Sequence, residues 1–242
     1  MFIISSDIAS IKSSFVPKAG TLVYSLHPLS VANILYSMSS STKVSECSDT
    51  KAIGTNTICY PIDKNFINAH TNEISKKIKN LNNFKLIFSA HGLPKKNIKK
   101  GDPYQWQVEQ SVNKIVKNLN YNNLDWVLSY QSRVGPLKWI EPSTDDVIIE
   151  NSKIGKHIVL VPIAFVSEHS ETLVELDIEY KKLATDNGCN EYTRVPALGT
   201  NEDFILAMSE LIINKDTYKI SENFYPPKIQ CPSNFKKCHC LN

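Results

Sequence analysis

Residues 158–184 read IVLVPIAFVSEHSETLVELDIEYKKLA. The stretch 158–165 is continuously apolar and lies between Gly155 and a polar helix start, as a parallel strand covered on both faces would be. Behind it, the spacing of Leu173, Leu176, Tyr180 and Leu183 predicts an α-helix over 168–184 with those four side chains inward. The same strand-then-helix unit recurs on both sides. Upstream, Phe66, Ala69, Ile74 and Ile78 predict a helix over 65–80, followed by a strand over 85–89. A turn at Gly101, Asp102 and Pro103 then opens a helix over 105–119, with Val108, Val112, Ile115, Val116 and Leu119 on one stripe, and a strand follows over 126–131. Downstream come a strand over 194–198 and a helix over 201–213. Strand and helix alternating in this way specify an α/β fold: a mainly parallel sheet flanked by helices and joined by right-handed crossovers.

Composition narrows the function. The 242 residues are 42% hydrophobic and 21% charged, an ordinary globular balance. No run approaches the roughly 20 apolar residues of a spanning helix, and the first twenty residues lack the basic start and apolar core of a secretory signal. A cytoplasmic address is therefore expected. The net charge is only +3, and the cations are Lys apart from Arg133 and Arg194, so the bidentate Arg clusters of a nucleic-acid binder are missing. No nucleic-acid partner is expected. Six Cys without a secretory signal point to reduced thiols, inert or metal-binding, and three of them fall in the last twelve residues.

In parallel sheets, ligands bind outside the carboxyl ends of the strands. That rule selects residues 89–94, 131–136 and 167–171. His91, at the first of these places, lies in the restricted context Ser89-Ala90-His91-Gly92-Leu93-Pro94, where an imidazole can bind a transition metal, move a proton or be merely structural. At the third, Glu168, Glu171, Glu175 and Glu179 recur at spacings of three, four and four, beside His169. Like charges so spaced on a helix repel by a few tenths of a kcal/mol per pair (about 0.2–0.5), so the stripe faces either water or a cation. The second place holds Arg133 and Trp139, which suit a flat anionic aromatic ligand by pairing and stacking, although Trp139 would equally fill a core or rim. Lys95, Lys96, Lys99 and Lys100 form a basic loop that is either solvated or in contact with an anionic surface, and Cys189 looks structural.

Three strings carry a resemblance: SAHGLP followed by GDPYQWQ, then YQSRVGPLKWIEPSTDD, then VPIAFVSEHSETLVELDIEY. In this order and spacing they resemble the ferrochelatases, which insert ferrous iron into protoporphyrin IX to make protohaem. The resemblance implies a Rossmann-like chelatase fold, with His91 and Glu171 as the catalytic pair flanking the porphyrin centre. His169 and Glu168 lie alongside as metal ligands, and Glu175 and Glu179 continue an inner acidic line for metal or protons. It assigns Ser132, Arg133 and Trp139 to the porphyrin. Which of His91 and Glu171 takes protons and which binds iron stays open.

The tail adds Cys231, Cys238 and Cys240, a spacing resembling bacterial ferrochelatases that carry a [2Fe-2S] cluster. Cys59 is the preferred fourth ligand, ahead of Cys47, and a zinc site would use the same thiols with His239 as a substitute. The chain is expected to divide into a first segment, 1–82, a remnant of the N-terminal chelatase half. A complete C-terminal Rossmann-like domain, 83–213, and a cysteine-bearing tail, 214–242, follow. The family's earlier strands are not found before residue 84, so a complementing N-terminal fragment is one expected partner and the inner membrane face a peripheral one. The alternative to an active chelatase is an inactive remnant or a porphyrin- or metal-binding module.

Overall fold

A computed structural model of the chain describes residues 61–131, 135–170, 172–213, 232 and 234–236. The elements are α1 (Lys64–Ile78), β1 (Phe84–His91), α2 (Lys95–Lys99), α3 (Tyr104–Leu119), β2 (Trp126–Gln131), α4 (Thr144–Lys153) and β3 (His157–Pro162). A π-helical segment, Thr172–Glu179, then runs into α5 (Tyr180–Asp186), β4 (Tyr192–Arg194) and α6 (Glu202–Ile213). The four strands form one parallel sheet in the order β2-β1-β3-β4. No described helix is long and apolar enough to cross a membrane.

Each central strand packs on both faces because its side chains alternate. Phe84, Leu86, Phe88 and Ala90 of β1, with Val159 and Val161 of β3, share one core with α1, α3 and α6. Ile87, Ile158 and Leu160 point the other way and meet Ile148 of α4, Leu176, and Tyr180 and Ala184 of α5. The crossover after β1 therefore lies on one face, and those after β2 and β3 on the opposite face. Between the carboxyl ends of β1 and β3 this reversal leaves a crevice, the usual ligand position in such sheets. His91 is the last residue of β1.

Several expected elements shift by a residue or two, as strand and helix ends do. Four differences are substantive. The helix Thr144–Lys153 is absent from the sequence reading because its buried set, Thr144, Val147, Ile148 and Ser152, is half polar. The last strand is Tyr192–Arg194 and not 194–198: only Ile158 to Leu160 of β3 offer it a ladder, and residues 195–201 continue as a loop. Lys95–Lys99, read as a loop, closes one helical turn. The helix expected over 168–184 is not a single α-helix. Residues 163–169 form a loop, Thr172–Glu179 is π-helical, and Leu173, expected inward, is 47% exposed. In addition, α1, assigned by sequence to the first segment, packs on α6 and α3 within the core of the sheet.

A buried histidine lies against that core. His70 of α1 is 3% exposed, meets Phe66 edge to face at 4.9 Å, and has no partner for Nε2. Burial pushes its imidazole down to about 3. The unfolded chain takes up this proton near pH 6.5, so stability is lost as pH falls through the window from about 6.5 to about 3. About 2 kcal/mol should disappear between pH 7 and pH 5 from this group. Urea midpoints of the wild type and of His70→Phe at the two pH values check this: the variant should lose that component, and equal losses would rule His70 out as the source.

Candidate active site

The crevice is built on three strand ends. His91 and Gln131 are register partners at the ends of β1 and β2, and the Gly92 amide donates to the Gln131 carbonyl at 2.8 Å. The loops beyond them are zipped together: Lys95 N–H donates to the Lys138 carbonyl at 2.7 Å and Ile140 N–H to the Leu93 carbonyl at 3.0 Å. Tyr104, in the first turn of α3, donates its hydroxyl to the His91 carbonyl at 3.0 Å. Burial pushes the Tyr104 phenol well above its usual range, so that hydroxyl keeps its proton. The main chain of His91 is thus fixed from two sides while its ring stays partly exposed.

Phe165, in the loop after β3, lies between two imidazoles. Its centroid is 6.3 Å from His91 at 84° and 4.9 Å from His169 at 70°, both edge-on arrangements. The two histidines therefore share one aromatic neighbour.

A polar network runs from the π-helical segment into the sheet. Glu175 accepts from Gln131 Nε2 at 3.0 Å and from the Tyr180 hydroxyl at 3.1 Å. Gln131 Oε1 in turn accepts from Ser89 Oγ at 2.5 Å, and Ser89 and Ser129 both bond Thr144 Oγ1, at 3.1 and 2.9 Å. Burial, reinforced by the Glu175 carboxylate, raises the Tyr180 phenol far above its usual range, leaving it a donor. Ser89, Ser129, Thr144 and Gln131 are all buried, so each hydrogen bond spares a desolvation cost of about 1–3 kcal/mol. The network orients Glu175 towards the strand ends.

A second acidic pair is engaged elsewhere. Glu168 Oε1 accepts from Arg194 Nη1 and from the Ala197 amide, each at 2.8 Å, and Arg194 grips Asp177 through Nε and Nη2. Burial pushes the Glu168 carboxyl up, but those donors outweigh it and hold the group below the usual carboxylate range. Glu179 is exposed. The acidic stripe is therefore divided: Glu168 faces Arg194, Glu175 faces Gln131, and Glu179 faces water.

The ferrochelatase family model matches residues 29–216, more than three quarters of the chain. The chain belongs to the ferrochelatase family. It is 82% identical over 191 residues to the ferrochelatase of Pelagibacter ubique (strain HTCC1062), covering 78% of this chain and 56% of that protein. It is 50% identical over 186 residues to the ferrochelatase of Rickettsia prowazekii (strain Madrid E), covering 75% and 53%. Among solved structures it is similar to SirB from Bacillus subtilis with Fe3+, at a TM-score of 0.44 and 16% identity over 64% of this chain and 57% of that one. The chain spans about half the length of the curated ferrochelatases it matches.

Within this ferrochelatase framework, the structure brings His91, His169 and Glu175 to the same end of the sheet. Glu171, Ser132, Arg133, Cys59, Cys231, Cys238 and Cys240 lie outside the described residues. Trp139 is partly buried, and its Nε1 is enclosed without a hydrogen-bond partner, a donor available to a bound acceptor. Among the described residues no three His, Cys, Asp or Glu side chains converge as a metal cage. Cys189 is buried, with its thiol directed at the Lys156 and Glu191 carbonyls at 3.4 and 3.0 Å, a structural role. Ser89 and Gln131 fall within the strand ends that the sequence selected, without a role assigned to either. Thr144, Tyr180, Tyr104 and Phe165 were left out of the site, because a single buried hydroxyl or ring carries no pattern that marks it.

The sequence around the cysteines is anchored at two described points. Pro61 accepts from Ser111 Oγ of α3 at 2.5 Å. Phe235 packs on Trp106 of α3, with centroids 6.0 Å apart. Beside it the backbone of Asn234 and Lys236 passes so close to Gly101 that a Cβ there would lie 2.9 Å from the Lys236 nitrogen, and Gly101 adopts φ +90°, which glycine alone tolerates cheaply.

Proposed function

We propose that the chain is a ferrochelatase that inserts ferrous iron into protoporphyrin IX to form protohaem. The observation that carries the reading is the position of His91 at the carboxyl end of β1, in register with Gln131, whose side-chain amide donates to Glu175 of the acidic segment. Insertion requires proton acceptors for the two pyrrole nitrogens and a weakly held, partly dehydrated iron. His91 and Glu171 are the pair assigned to the porphyrin centre. His169, Glu168, Glu175 and Glu179 supply the neighbouring cation ligands, with Glu168 reaching them only by releasing Arg194. Ser132, Arg133 and Trp139 are assigned to the porphyrin, where the enclosed Trp139 N–H would meet an acceptor. The functional unit is the domain 83–213 together with α1, with 214–242 as its tail and residues 1–60 part of the N-terminal half. A cytoplasmic location, with peripheral contact at the inner membrane face through the basic turn Lys95–Lys99, and an N-terminal complementing fragment belong to the same reading.

The test is insertion of Zn2+ or Fe2+ into protoporphyrin IX by the purified 242-residue chain, followed by fluorescence or absorbance. Turnover supports the reading. A folded chain without turnover that still quenches porphyrin fluorescence on binding would instead make it a binding module.

The same reading assigns a [2Fe-2S] cluster to Cys59, Cys231, Cys238 and Cys240. Its support is the pair of anchors on α3: Pro61 is two residues from Cys59, and 234–236 fall three residues after Cys231 and two before Cys238. Both anchors lie on the same helix, and four thiolates are what the cluster requires. Cys231→Ser should bleach the visible absorption of the purified protein. An unchanged spectrum removes the cluster, and a colourless wild type with one bound zinc makes the site a zinc site.

A further inference from the structure

We propose that Arg194 and Tyr192, two residues of the edge strand β4, are positioning residues that hold Thr172–Glu179 in its π-helical register and so keep Glu175 against Gln131. Nothing local explains this register. The segment TLVELDIE contains no Pro or Gly, and Leu and Glu are good α-helix formers. Burial does not favour it either, since it leaves Leu173, Val174 and Ile178 exposed at 47%, 47% and 62%. π-Helical pairing is rare, and a costly backbone arrangement persists only where its surroundings over-determine it.

The surroundings that do so are on β4. Tyr192 and Arg194, two residues apart, project from the same face of the strand. Tyr192 donates its hydroxyl to the Leu176 carbonyl, inside the π ladder, at 2.6 Å. Arg194 holds Asp177, the next residue, through Nε and through Nη2 at 2.9 Å, and reaches Glu168 ahead of the segment through Nη1 at 2.8 Å. The Arg194 side chain is 12% exposed, so these charge-assisted bonds are poorly screened. The clamp therefore grips the chain before the segment and again at its middle. Closing each amide onto the carbonyl four residues back, in place of five, would rotate Leu176 and Asp177 off these partners and carry Glu175 away from Gln131 and Tyr180 with them.

The consequence for metal use rests on the proposed role of Glu175 in the cation line, whereas the register itself does not. The experiment uses the full chain with Arg194→Met, and with the milder Tyr192→Phe in case the first does not fold. Couplings across hydrogen bonds, measured by NMR over residues 172–181, identify the carbonyl that each amide pairs with. The pairing should move from five residues back to four in the folded variants, and the KM for Zn2+ insertion should rise about 10- to 100-fold, as when a ligand loses its outer support, with the porphyrin KM unchanged. Five-back pairing retained in the folded variants overturns the clamp. A switched register with an unchanged Zn2+ KM upholds the clamp and removes Glu175 from the cation line.

Discussion

Replacing His91 by alanine is expected to abolish metal insertion while leaving the protein folded. The imidazole is borne by the last residue of β1, and under the proposed function its loss removes either a proton acceptor or a metal ligand at the porphyrin centre. A positioned acid or base alone contributes about 10²–10⁴ in rate, so turnover should fall at least that far. The fold should survive, because what ties His91 into the structure is main chain: the register with Gln131 and the Tyr104 hydroxyl on the His91 carbonyl. The ring meets the edge of Phe165, 6.3 Å away between centroids. Insertion of Zn2+ followed by fluorescence, beside a thermal melt of the same sample, checks both halves. Turnover retained by the variant would remove the mechanism, and a melt shifted far below wild type would show that the ring is structural.

The largest stability effect is expected at Phe88. It lies at the centre of β1, is 0% exposed, and meets Trp126 edge to face at 6.1 Å. Hydrogen-bonded strands on both sides leave the backbone little room to close over a void, so Phe88→Ala should cost about 3–5 kcal/mol. That is a large share of the roughly 5–15 kcal/mol that holds an ordinary domain together, and the melting midpoint should drop by about 10 °C. Urea unfolding should show a lower midpoint at an unchanged slope, since the area exposed on unfolding hardly alters. Leu137→Ala, at a residue 45% exposed, is the control and should stay within about 0.5 kcal/mol. A Phe88→Ala midpoint equal to that of the control would mean the core assigned to this face is wrong.

Glu175 accepts from the Gln131 amide and the Tyr180 phenol, and the segment bearing it is gripped by Arg194 and Tyr192 of the outermost strand. An edge strand of three residues thereby shapes a site two strands away.

The α/β class, the parallel alternation and the place of His91 at a strand's carboxyl end were all legible in the residues, because burial on two faces forces continuous apolar strands with readable ends. The motif strings carried the family in the same way, since each is a local run of residues. The strand order β2-β1-β3-β4, the crevice it creates beside β1 and the helix Thr144–Lys153 were not legible, for they depend on which segments pair across tens of residues. The acidic run 168–179 shows the boundary most clearly. Its spacing implied one straight helical stripe, yet Arg194 draws Glu168 aside and, with Tyr192 on the backbone, the chain follows a π-helical path. Local periodicity reports the propensity of a segment, whereas its register here is set by charge-assisted bonds to a strand that lies downstream in the chain and becomes a neighbour only when the sheet has formed.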